Sequence, residues 1–103
     1  MQIAKPPGGF VIDEPSGVTA AIAAHAKRWP RIGRYWADIR LRLSQTGHRE
    51  GEPIKGPPGA RLYVAEGHTA SGLPTIKVAY SVLGDTLRIR AVMVEPADST
   101  PLA

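Results

Sequence analysis

The stretch from Thr75 to Val94 constrains the fold more than any other part of the chain. Ile76, Val78, Tyr80 and Val82 alternate with Lys77, Ala79, Ser81 and Leu83. Successive side chains of a strand point to opposite faces, so apolar residues at every second position mark a half-buried strand. Gly84-Asp85 follows, a pair suited to a two-residue hairpin turn. Leu87, Ile89, Ala91 and Met93 then resume the alternation. Such a turn sets Leu83 opposite Thr86. Counting outward, Val82 faces Leu87, Tyr80 faces Ile89, Val78 faces Ala91 and Ile76 faces Met93. These residues share one apolar face, which is expected to meet the core. The other face pairs Ser81 with Arg88, Ala79 with Arg90 and Lys77 with Val92.

The remaining segments follow from period and punctuation. Met1 to Gly9 reads as a loose leader, and Phe10-Val11-Ile12 as a short strand. Asp13-Glu14-Pro15-Ser16-Gly17 supplies helix-starting chemistry. Val18, Ile22, His25, Ala26 and Trp29 recur at spacings of three and four, which predicts a helix. Pro30 interrupts it and suits the first turn of a second helix, whose stripe is Ile32, Tyr35, Trp36, Ile39 and Leu43. Gly47 is the expected stop. His48 to Gly59 is loop, with Ile54-Lys55 expected against the core, and Arg61 to Ala65 alternates as a strand. Glu66 to Pro74 is a second loop. The expected fold class is therefore α+β: an N-terminal strand, a two-helix hairpin, then three antiparallel strands in a twisted sheet with helices on one face. The 103 residues make a single domain, with 1–9 and 96–103 expected to be flexible.

Composition narrows the chemistry. There is no cysteine, which removes disulfides, thiolate metal sites and thiol nucleophiles together. His25, His48 and His68 have no helical metal spacing, so neither metal nor cofactor is expected. No apolar run approaches the roughly 20 residues that span a bilayer, and the N-terminus lacks the apolar centre of a secretory signal. No membrane association is expected, and the expected compartment is the cytoplasm. The formal charge of +4 makes a polyanionic partner plausible without selecting one.

Register sharpens that point. If Leu62 and Val64 face the core, Arg61 and Tyr63 join Lys77, Arg88 and Arg90 on the outer sheet face, with no acidic residue among them. Such a face suits phosphates, and Tyr63 adds a ring that can stack on a base. A solvated face or a docking face for an acidic protein are the alternatives. The segment Lys27 to Arg49 is also basic, with Lys27, Arg28, Arg31, Arg34, Arg40, Arg42 and Arg49 against Asp38 alone. It suits either a basic groove for an acidic partner or a solvated helix face. Trp29, Tyr35 and Trp36 sit at core spacing. His25 lies on an apolar stripe, whereas His48 and His68 lie in loops where either could act as acid or base in RNA cleavage.

Certain stretches carry a resemblance: Ile54-Lys55-Gly56 with Gly59-Ala60-Arg61-Leu62-Tyr63, then Ile76-Lys77-Val78-Ala79-Tyr80-Ser81-Val82, then Gly84-Asp85 with Leu87-Arg88-Ile89. Together with Trp36 to Leu43, they make the region Phe10 to Val94 resemble the RelE/ParE toxin superfamily. The resemblance implies a toxin of a type II toxin–antitoxin system, neutralised by an antitoxin protein, acting on mRNA at the ribosome or, alternatively, on gyrase. It also implies a metal-independent endoribonuclease chemistry with Arg61 and Lys77 at the family's basic positions, to which the register adds Arg90 as a third catalytic residue. RNA-binding residues would be Lys55, Arg61, Tyr63, Lys77, Arg88 and Arg90. One departure bears on catalysis. Glu95 to Ala103 holds no His, Tyr, Arg or Lys where the family's nucleases carry a proton-transfer residue after the last strand. Tyr63, His68 and Tyr80 are the candidates to replace it. Non-catalytic binding of a protein target or antitoxin, or a role as a small basic adaptor, stays open.

Overall fold

The computed structural model describes Gln2 and Ile3 and residues 9–97. Among them, six strands form one sheet in the order β1-β2-β6-β5-β4-β3. They are β1 (Gln2–Ile3), β2 (Val11–Asp13), β3 (Glu52–Pro53), β4 (Ala60–Ala65), β5 (Thr75–Leu83) and β6 (Thr86–Glu95). The helices are α1 (Ser16–Ala24) and α2 (Ile32–Thr46). Strands β4, β5 and β6 are antiparallel neighbours, while β2 lies parallel to β6. The fold class is α+β, and the N-terminal strand, helix pair and last three strands come in the expected order.

Local chemistry accounts for the boundaries. Pro15 occupies the cap position before α1, with extended backbone and no amide proton to waste. Helix α1 tightens into a single 3-10 turn at His25–Lys27, so Ala26, expected on the apolar stripe, is exposed. Helix α2 buries Ile32, Trp36, Ile39 and Leu43 and half-buries Tyr35. Gly47 is the C-terminal cap of α2, and only glycine fits there: a Cβ would lie 2.3 Å from a Leu87 methyl and 2.6 Å from the Leu43 carbonyl oxygen. The turn at Gly84-Asp85 joins Leu83 to Thr86 as expected, with φ +62° at Gly84.

The core lies between the helices and one sheet face. Ile12, Ile76, Val78, Tyr80, Leu87 and Ile89 are wholly buried beneath Val18, Ile22, Trp36, Ile39 and Leu43. Each fully buried aliphatic side chain contributes about 1.5–3 kcal/mol of transfer free energy. Glu14 sits among them, 1% exposed. Its carboxylate accepts from Trp36 Nε1 at 2.9 Å, from Arg40 Nη1 at 3.3 Å and from the Thr19 hydroxyl. A buried carboxylate needs such partners, and here they join the start of α1 to the middle of α2.

Three expectations are corrected. Gln2–Ile3 pairs with Ile12 and Asp13 as an edge strand and is not loose leader; Met1, residues 4–8 and residues 98–103 lie outside the described residues. Ile54-Lys55 does not lie against the core: Ile54 is 42% exposed and Lys55 is exposed too. The hairpin register holds only from Leu83 to Tyr80. Beyond it Ala79 faces Ala91, Val78 faces Val92 and Ile76 faces Val94. Arg90 is left without a residue opposite, the signature of a β-bulge. Val92 and Val94 therefore turn inward, and Met93 turns out with 56% exposure.

Candidate nucleic-acid interface

The bulge and the parallel strand decide what the outer face carries. Without the bulge, alternation from Leu87 and Ile89 would put Glu95 inside; with it, Glu95 emerges beside Lys77, 3.1 Å from Nζ. Parallel pairing of β2 with β6 brings Asp13 opposite Arg88, and Arg88 Nε donates to its carboxylate at 2.9 Å. The face expected to be free of acids thus holds two ion pairs. Arg90 donates instead to the Ser81 hydroxyl at 3.2 Å. Ser81, Leu83, Thr86, Arg88 and Arg90 line a hollow of about 280 Å³.

Strand β4 presents the opposite faces from those expected. Arg61 is paired with Tyr80, Tyr63 with Val78 and Ala65 with Ile76. Directly opposed residues share a face, so Arg61 and Tyr63 lie on the helix side, while Leu62 and Val64 look outward. The physical reason is at the ends of the strand. The small Ala65 occupies the core position beneath the helices, and Arg61 reaches past the end of α2 to polar backbone. Its Nε donates to the Glu50 carbonyl at 2.7 Å and its Nη2 to the Gly51 carbonyl at 3.1 Å. The Tyr80 hydroxyl lies 2.6 Å from the Gly47 carbonyl oxygen and 2.8 Å from that of Glu50, with its one proton to share. Burial pushes the Tyr80 phenol above its ordinary value, against an opposing pull from Arg61.

Arg61, Arg88 and Arg90 consequently lie beside two neighbouring residues of β5, on opposite faces of the sheet. Arg61 stands opposite Tyr80 on the inner side; Arg88 stands opposite Ser81 and Arg90 bonds to it on the outer side. Among the described residues only Arg88 of the three has a carboxylate partner. Lys77 is not in this group. It lies four positions along the strand from Ser81, roughly 13 Å at about 3.3 Å per residue. Lys55 is exposed on the loop between β3 and β4. Tyr63 is half-buried against the core and lines a groove of about 280 Å³ with Tyr35, Asp38 and Arg42.

The basic helix segment forms a separate surface. Arg31, Arg34, Tyr35, Asp38 and Leu73 line a hollow of about 440 Å³. Tyr35 donates to the Glu66 carbonyl at 3.0 Å, and burial, then Tyr63 and Glu66, raise its phenol. Arg28 stacks over the Trp29 ring at 4.6 Å. Arg40 belongs to the Glu14 cluster. His25 sits 5.6 Å from the Trp29 ring and is half-buried. His68 forms a small backbone bridge with Leu73 in the loop after β4, in another part of the chain from the arginine group. His48 stands apart from both. Its ring lies 5.3 Å from Phe10, and it lines one hollow with Arg61. No spacing in the sequence brings residues 48 and 61 together. The signal that could have done so is the buried Tyr80 hydroxyl, which requires acceptors and finds them in the loop carrying His48.

No family model, curated protein or solved structure matches this chain. No helix among the described residues is long and apolar enough to cross a membrane.

Proposed function

We propose that this chain is the toxin of a RelE/ParE-type toxin–antitoxin pair and that it engages RNA on the outer face of the sheet, at the strand end that carries Arg88 and Arg90. One observation carries the reading: Arg88 and Arg90 flank Ser81 on the outer face, and among the described residues Arg90 has no carboxylate partner while Arg88 has Asp13. Arginine presents a planar fork suited to phosphate, and two forks at one strand end can follow successive phosphates of a backbone. Cleavage in this reading is attack by a ribose 2′-oxygen on the adjacent phosphorus. Its proton passes to water, the bond from phosphorus to the 5′-oxygen breaks, and that oxygen takes a proton from water. A 2′,3′-cyclic phosphate and a 5′-hydroxyl result, with preorganised guanidinium charge stabilising the phosphorane. The order of elements, with helices on one face only, agrees with the resemblance that led to it. Lys77 is a weaker member of the site than the resemblance implied, because Glu95 already holds it.

A second reading has its own support. Arg31 and Arg34, with no acidic partner among the described residues, line the hollow beside α2, which suits an acidic protein such as an antitoxin or a protein target. Fluorescence anisotropy with single-stranded RNA across a salt series separates the two. The RNA reading expects Arg88→Ala with Arg90→Ala to weaken binding and to flatten the log–log salt slope by about 0.7 for each phosphate no longer neutralised. It expects Arg31→Ala with Arg34→Ala to leave that slope in place. Loss of binding with the helix pair alone would transfer the interface to α2, and absence of RNA binding at low salt would overturn the RNA reading.

A further inference from the structure

The loop from Gly47 to Gly51 is held from beneath by Tyr80 and Arg61, through the carbonyls of Gly47, Glu50 and Gly51. That grip fixes His48 relative to Arg61. Both line a hollow of about 510 Å³ whose other side chains are all hydrocarbon, from Ile54, Pro57, Pro58 and Val82 among others. Its volume falls in the usual range of small-molecule sites, about 300–1,000 Å³. Among the described residues no carboxylate lines it. Two bonds to carbonyls use two of the five guanidinium donors of Arg61, so three N–H groups remain in an orientation already set. Phe10 backs the His48 ring at 5.3 Å.

We propose that this hollow binds a nucleoside phosphate, with Arg61 and His48 on the phosphate and Ile54, Pro57 and Pro58 against the base. The choice follows from the lining. Two separate nitrogen donors suit a tetrahedral anion with several acceptor oxygens better than a flat carboxylate. The proline and isoleucine wall suits a flat, weakly polar ring and has nothing to offer a purely ionic ligand. The inference rests on the RNA reading for a nucleotide in preference to another ring-bearing phosphate. It adds a site on the helix side of β5, lined by a histidine to which that reading gives no part.

Nuclear magnetic resonance titration of the whole chain tests it, following the His48 ring and the side-chain Nε of Arg61, Arg88 and Arg90. The probes are uridine 3′-monophosphate, adenosine 3′-monophosphate, inorganic phosphate and a short oligoribonucleotide ending in a 3′-phosphate. Both nucleotides should shift His48 and Arg61 saturably, about tenfold more tightly than inorganic phosphate. His48→Ala should weaken nucleotide binding by about tenfold or more, the worth of one hydrogen bond to a charged group. Arg61→Lys, which keeps the charge and loses the fork, should do likewise. Tighter binding of the oligomer identifies an RNA end as the source of the phosphate, and equal binding identifies a free nucleotide. Unmoved His48 and Arg61 signals at saturating nucleotide overturn the inference, as does equal affinity for inorganic phosphate. If the oligomer moves Arg88 and Arg90 alone, the hollow fails and the RNA reading stands; if it moves none of them, both fail.

Discussion

Two side chains hold parts of this molecule that the backbone alone would leave loose. Tyr80 is wholly buried, yet its hydroxyl ties β5 to the loop after α2 through the carbonyls of Gly47 and Glu50. Tyr80→Phe keeps the ring and removes the donor, so it should cost about 1–2 kcal/mol in denaturant unfolding. The same residue sets an alkaline limit. A raised phenol stays protonated in the folded state where the unfolded chain already ionises. Its stabilisation is complete below about pH 10 and is lost as pH rises through the folded value. Tyr35 is raised as well and acts in the same direction. Ultraviolet difference titration should show tyrosinate appearing later than in free tyrosine, and Tyr80→Phe should lose less stability between neutral and alkaline pH. Glu14 is the second such residue. Glu14→Ala removes the shared acceptor of Trp36, Thr19 and Arg40 from a buried position. It should destabilise by about 3 kcal/mol, the lower end for breaking a buried pair, because Arg40 is 20% exposed and can be solvated.

At the scale of elements, the bulge at Arg90 decides more than any single contact. It rotates the second half of β6 by one residue, turning Val92 and Val94 in and Met93 and Glu95 out. Deleting Arg90 should leave an unbulged strand with the same pairs, Tyr80 to Ile89 and Ala79 to Ala91. The circular dichroism spectrum should then stay unchanged while RNA affinity falls. A loss of fold would mean that the bulge is needed for the sheet's curvature. The helices, the strand before them and the hairpin turn were legible in the sequence because each rests on a local pattern of period or a Gly-Asp pair, although Pro30 lies before the Arg31 cap of α2 and not in its first turn. The bulge was not, since Ala91 and Met93 continue the apolar alternation as well as Val92 and Val94 do. Nor were the faces of β4, where Arg61-Leu62-Tyr63-Val64-Ala65 offers an apolar or aromatic residue at nearly every position. Choosing between them needs the acceptors in the loop from Glu50 to Gly51, which only the folded chain supplies. The candidate site was therefore half legible: Arg88 and Arg90 follow from the turn, whereas Arg61's side of the sheet and the nearness of His48 depend on packing.

For the molecule as a whole, a chain with formal charge +4 keeps much of its surface charge in ion pairs, Lys77 with Glu95 and Arg88 with Asp13. Of the cations with no acidic partner among the described residues, Arg90 stands beside Arg88 on the outer sheet face, and Arg31 and Arg34 line the flank of α2. That distribution is the basis of the proposed function, and its most direct test is made in cells. Wild-type chain is expressed from an inducible promoter in a bacterial host, with growth followed and mRNA 5′ ends mapped. Variants carrying Arg88→Ala and Arg90→Ala are run beside it. Growth arrest with new, ribosome-dependent mRNA ends, both abolished in the variant, is the result this account predicts. Arrest without new ends, or normal growth with soluble folded protein present, would contradict it.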